Sequence, residues 1–153
     1  MGLDMYLTKK TYVKNWDHTP KEKRNTITIK QNNRIRTDIK PKRISVIIED
    51  IGYWRKANAI HNWFVQTIQK GDDECQESYV GIKDLEELLD IVETVLLDHS
   101  LAGSLLPCQS GFFFGSYEYD DYYFSDLKLT RGIIKKALKE KDTEGEFYYQ
   151  ASW

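Results

Sequence analysis

His61 is the residue in this chain best suited to chemistry near neutral pH, where an imidazole both takes and gives up a proton. The stretch Tyr53-Trp54-Arg55-Lys56-Ala57-Asn58-Ala59-Ile60-His61-Asn62-Trp63-Phe64 surrounds it with groups that bind rather than react. Read as a helix from Gly52 or Tyr53 to about Lys70, ended by Gly71, the segment puts Trp54, Ala57, His61, Phe64, Val65 and Ile68 on one face. Arg55, Asn58 and Asn62 then fall within about 60° of one another beside that face, with Trp63 and Lys56 on the far side. A guanidinium and two amides next to an indole can grip a phosphate and stack a base or sugar. In that setting His61 could serve as a general base. The competing reading is a core histidine bridging internal partners, since buried polar groups are normally satisfied inside the protein.

A second block, Gln109-Ser110-Gly111-Phe112-Phe113-Phe114-Gly115-Ser116, is amphipathic at neither the helix nor the strand period. Its apolar centre reads as a core plug. Its glycines would also let backbone amides approach a ligand, with Gln109 and Ser110 as side-chain contacts. It is not a nucleotide-binding Walker loop, because the Gly-Lys-Ser/Thr ending is absent. Glu118, Asp120, Asp121 and Asp126 suggest a carboxylate pair or a magnesium site, but acids that open a helix are accounted for by its dipole. No spacing of His and Cys points to a metal, and no cofactor is implied. Cys75 and Cys108 form neither a disulfide framework nor a metal motif, and nothing beside Cys108 would lower its pKa.

A third feature is basic. From Lys9 to Arg43 there are twelve Lys and Arg against three acids, whereas Asp72 to Asp98 holds ten acids against Lys83 alone. Lys30, Arg34, Arg36, Lys40, Lys42 and Arg43 form a patch that could meet nucleic acid or an acidic protein surface. The absence of a recognised nucleic-acid motif and a net charge of -2 weigh against nucleic acid as the first choice. A solvated sheet edge that resists aggregation would carry the same residues.

These groups need elements to hold them. Gly2 to Trp16 alternates in part and reads as a strand or bent strand pair. Residues 17–43 form an excursion, with a β-hairpin turning at Gln31-Asn32-Asn33 because asparagine tolerates left-handed backbone. Ile44 to Ile48 reads as a well-buried strand and Glu77 to Gly81 as a short one. Ile82 to Leu97 is the clearest helix, with Leu85, Leu88, Leu89, Val92, Val95 and Leu96 on one face. Residues 98–108 hold a short helical turn or loop. Asp120 to Lys141 is a further helix, acidic first and basic last, with Tyr123, Leu127, Ile134, Ala137 and Leu138 inward. Glu146 to Trp153 closes the chain as a strand, which requires a sheet partner; the first strand is the expected one. The whole predicts one α+β domain over residues 1–153, about three helices packed on a mainly antiparallel sheet.

With 153 residues the chain can hold a core without staples. No apolar run is long enough to span a bilayer, and Asp4 and Lys9-Lys10 break the opening before a signal sequence could form. These features predict a cytoplasmic protein without membrane contact.

The opening Met1-Gly2-Leu3-Asp4-Met5-Tyr6-Leu7, the block Tyr53 to Val65, the block Gln109 to Ser116 and the closing Phe147-Tyr148-Tyr149-Gln150-Ala151-Ser152-Trp153 together resemble a group of small uncharacterised phage, prophage and bacterial proteins. The resemblance implies a phage setting, in which accessory proteins bind host proteins, nucleic acids or nucleotide signals and so counteract host defence. It transfers no catalytic residue. The expectation is a non-catalytic protein that binds a host protein or a nucleotide-like, anionic ligand through Trp54, Arg55, Asn58, His61, Asn62, Gln109 and Ser110. The alternatives are an enzyme on a phosphorylated or nucleotide substrate with His61 as base, and a nucleic-acid or acidic-surface module built on residues 17–43.

Overall fold

Alternation along the first strand decides which side of the sheet becomes the core. The computed structural model describes residues 2–111 and 114–153. In β1 (Asp4–Tyr12) Met5 and Leu7 are fully buried, while Tyr6 and Tyr12 between and beyond them face outward. Two further strands flank it. β4 (Val46–Arg55) pairs antiparallel on one side, and β6 (Glu146–Ser152) on the other, with Asp4 opposite Ser152. The short β5 (Ser78–Val80) adds to β6, which gives the antiparallel order β4-β1-β6-β5. The first and last strands are therefore neighbours at the centre of the sheet. Between β1 and β4 in the chain lie β2 (Lys30–Gln31) and β3 (Arg34–Ile35), a separate two-stranded ribbon whose turn holds Asn32 and Asn33 at φ 50° and 60°.

Among the described residues four α-helices complete the α+β fold: α1 (Asn58–Thr67), α2 (Ile82–Leu97), the single turn α3 (Ala102–Leu105) and α4 (Asp121–Leu138). The inner residues of α2 and α4 interlock over the sheet in one core that includes Leu85, Leu88, Val92, Leu127 and Ile134. The close approach of α4 to β4 depends on Gly52. A Cβ there would lie 2.3 Å from Ile133 Cγ2, so any larger residue must push the helix away.

Three expectations change. The helix of the Tyr53–Phe64 block begins at Asn58 and ends at Thr67, not at Gly52 and Lys70, because Tyr53, Trp54 and Arg55 pair with Tyr6, Met5 and Asp4 as the end of β4. Pairing with β1 overrides a pattern that is also compatible with a helix. Trp54 and Arg55 are thus strand residues pointing to opposite sides. Trp63 is buried rather than on a far side, since α1 is covered nearly all round. The apolar run at 44–48 is not buried: Val46, Ile47 and Ile48 are exposed, Ile48 by 59%. They pair with Tyr12, Thr11 and Lys10, where the β1–β6 ladder reaches only as far as Lys10, so the strand pair runs on beyond the rest of the sheet.

Candidate ligand cleft

The turn from β4 into α1 is tight and its backbone is unusual. Lys56 adopts φ 57° and donates its amide to the Leu3 carbonyl at 2.8 Å, closing the β1–β4 ladder. Ala57 follows in the capping position just before α1, and no side chain caps the helix. An uncapped first turn leaves amide N–H groups pointing outward from its positive end. Residues Ala57 to Ile60 of that turn form one wall of a cleft of about 300 Å³. Arg55 and Lys56 stand beside them. The opposite wall comes from the start of α4, with Asp120, Tyr122, Tyr123 and Asp126, and Cys108, Gly115 and Ser116 complete it.

Local sequence explains both walls. Asp120 caps α4, its Oδ1 accepting from the Tyr123 amide at 3.0 Å. Tyr123 is anchored by donating from its hydroxyl to the Leu106 carbonyl at 2.8 Å, and burial pushes its phenol well up. Asn58 is 4% exposed; its Nδ2 donates to the carbonyls of Ser116 at 2.6 Å and Phe114 at 3.2 Å. This ties the 114–116 segment to α1. Its Oδ1 has no partner among the described residues although it is buried. An unfilled buried acceptor is costly, by about 1–3 kcal/mol.

The carboxylates set the electrostatics. Burial first, then the negative charge of Asp120, raises the Asp126 carboxyl from 3.8 to about 6. Burial, then Asp120 and Asp126, also raises the Cys108 thiol, which makes it a poor nucleophile. Because the folded protein holds the Asp126 proton more tightly than the unfolded chain does, this group favours folding most below pH 4. The advantage falls as pH rises through about 6. Asp126→Asn is therefore expected to stabilise the protein at pH 7.5 by about 1 kcal/mol, discounted for partial solvent access, with little gain at pH 4. Chemical denaturation at the two pH values measures this; an equal effect at both would mean the carboxylate is not the cause.

The expected site residues part company. Arg55 and Asn58 line the cleft. Trp54 is fully buried behind it, its Nε1 donating to Thr130 Oγ1 at 2.8 Å. Asn62 donates to the Pro107 carbonyl at 3.2 Å and lies outside the cleft, as do Gln109 and the exposed Ser110. Phe112 and Phe113 of the expected core plug fall outside the described residues, and Phe114 is buried.

His61 is fully buried and does not line the cleft. Its Nδ1 lies 2.7 Å from the Tyr149 hydroxyl and its Nε2 2.9 Å from Asp73 Oδ2. A carboxylate only accepts, so Nε2 carries a proton. Burial, then Asp73, holds the Tyr149 phenol well above its usual range, so it remains a donor to Nδ1 in the neutral tautomer. Asp73 Oδ1 accepts in turn from Trp153 Nε1 at 3.2 Å. The histidine thus ties α1 to β6 and to the loop after α1, with both nitrogens engaged. A general base needs a nitrogen within reach of substrate, and this one has none to spare.

Lys56, Cys108, Ser116, Asp120, Tyr122 and Asp126 join Arg55 and Asn58 only through the fold. The available sequence signal was Ala57 where a capping residue would stand. The basic residues Lys30, Arg34, Arg36, Lys40, Lys42 and Arg43 lie apart from this cleft, on the excursion. Among the described residues no group of three or more His, Cys, Asp or Glu could hold a metal ion, and no helix is long and apolar enough to cross a membrane. No protein-family model, curated protein or solved structure matches the chain.

Proposed function

We propose that this chain is a binding protein whose cleft between the β4–α1 turn and α4 takes a small anionic, nucleotide-like ligand. The observation that carries the reading is the uncapped first turn of α1, flanked by Arg55 and Lys56, next to the unpartnered Oδ1 of buried Asn58. Helix N-termini and neighbouring cations suit phosphate, and an unfilled amide oxygen suits an N–H or O–H of the same ligand. Asp120 and Asp126 are further acceptors for base or sugar donors. A cleft of about 300 Å³ is at the lower end of small-molecule sites, so it suits a mononucleotide or one end of something larger. A concave site with convergent polar groups favours such a ligand over a host protein's surface. In the phage setting that the sequence resemblance implies, sequestering a nucleotide signal would counter host defence.

Calorimetric titration with a panel of mononucleotides, with inorganic phosphate alongside, tests this. Arg55 is exposed, so Arg55→Ala is expected to weaken the best ligand about 10- to 100-fold while leaving the melting temperature unchanged. Absence of heat for every member of the panel would reject the reading, as would unchanged affinity in both Arg55→Ala and Lys56→Ala.

A further inference from the structure

Residues 14–50 include no buried residue, yet they follow a defined path. What holds them is a set of local bonds. Asn15 and Asn25 bond reciprocally at 2.8 Å, Asn25 Nδ2 donates to the Val13 carbonyl at 3.2 Å, and the Val13 amide donates to the Ser45 carbonyl at 2.9 Å. A segment that contributes nothing to the core has to be explained by what it presents. It presents charge: residues 14–43 hold ten Lys and Arg against three acids, while the rest of the chain holds twelve against 21. Within it, Arg36 is paired with Asp38 and Arg24 donates to backbone carbonyls. Lys30, Arg34 and Lys42 have no ion pair or side-chain hydrogen bond among the described residues.

The excursion also encloses a second hollow, of about 500 Å³, which shares no residue with the first. Trp16 lines it, 47% exposed, with Lys42 and Asn25. The Lys14 ammonium sits 4.3 Å from the Trp16 ring centroid, and the His18 ring lies within 8° of parallel to it. An exposed indole that shares a hollow with the unpaired Lys42, on an excursion that also carries Arg34 and Lys30, is a combination that holds an unpaired base and its phosphates. We infer that this excursion is a binding site for single-stranded nucleic acid, with Trp16 as the stacking residue and Lys42, Arg34 and Lys30 on the backbone. A duplex fits less well, because its bases are already stacked on one another and offer no free face to the indole. An acidic protein would use the cations but leave Trp16 without a role.

Fluorescence anisotropy of labelled oligo-dT and oligo-rU, about 12 nucleotides long, supplies the test. Log affinity should fall linearly with log salt between about 50 and 200 mM, and Lys42→Ala or Arg34→Ala should each flatten the slope by about 0.7. Trp16→Ala should weaken binding about tenfold without changing the slope, and Trp16→Tyr should restore most of the loss. The dT and rU arms decide between DNA and RNA. Arg55→Ala should leave this binding intact, which separates it from the mononucleotide cleft. No binding at low salt would overturn the inference. So would a duplex bound as tightly as the single strand, or polyglutamate competing equally well with Trp16→Ala silent; that last outcome would assign the surface to an acidic protein. Lys42 and Arg34 are exposed, so the salt slopes remain readable even if Trp16→Ala disturbs the excursion.

Discussion

His61→Ala is expected to lower stability by about 3–5 kcal/mol, among the largest single effects available in this chain. The substitution opens a void beside Phe114, whose ring meets the imidazole edge-on at 5.0 Å, and strands the buried Tyr149 and the half-buried Asp73 at once. Tyr149 loses its acceptor and Asp73 its donor. Tyr149→Phe removes only one of those bonds and should cost about 1–2 kcal/mol. Chemical denaturation of both variants checks the ratio. Calorimetry on the folded fraction of His61→Ala should find the nucleotide affinity little changed; a loss of affinity with stability intact would instead make the imidazole a ligand contact.

Trp54→Ala should be as damaging, at about 3–5 kcal/mol, because a fully buried indole at the sheet–helix boundary leaves a cavity that α4 cannot close. Trp54→Phe should recover most of this, the remaining cost of about 1 kcal/mol being the hydrogen bond to Thr130. That bond has a second consequence. Thr130 Oγ1, which accepts from the indole, donates to the Asp126 carbonyl at 2.7 Å. The indole therefore holds the turn of α4 from which Asp126 enters the cleft. Trp54→Phe should leave the cleft formed but weaken ligand binding modestly, by about threefold, whereas a purely packing role would leave affinity unchanged. Thermal melts and titrations on the same sample separate the two.

Where one chemical pattern dominated, the elements could be read from the chain. Ile82 to Leu97 carries apolar residues at helical spacing without interruption, and its observed bounds coincide with the expected ones. The closing strand alternates Phe147, Tyr149 and Ala151 inward, and it pairs with β1 as a terminal strand must. The Tyr53–Phe64 block was harder because two periods compete there. Trp54, Ala57 and His61 satisfy a helix, yet Tyr53-Trp54-Arg55 also alternates outward, inward, outward, and only the presence of β1 decides between them. The candidate cleft was legible in half. Arg55 and Asn58 were recognisable as a polar pair, although the reason they meet is a left-handed turn at Lys56, not a shared helix face. Asp126 stood out only as an acid near a helix start. Its raised pKa depends on how α4 buries it beside Asp120, and no spacing in the chain records that.

Setting the earliest strand against the latest has a temporal consequence. β1 occupies the middle of the sheet, and one of its two flanks stays open until residues 146–152 arrive. On a translating ribosome the segment through β4 can form the β1–β4 ladder, but Met5 and Leu7 keep an uncovered side until residues 146–152 have been made. His61 likewise waits for Tyr149. Such distant pairings close slowly, and the half-made chain exposes a sticky strand edge throughout synthesis. Nascent protein should therefore lean on chaperones, and a chain truncated before β6 should leave aggregate instead of a smaller working domain.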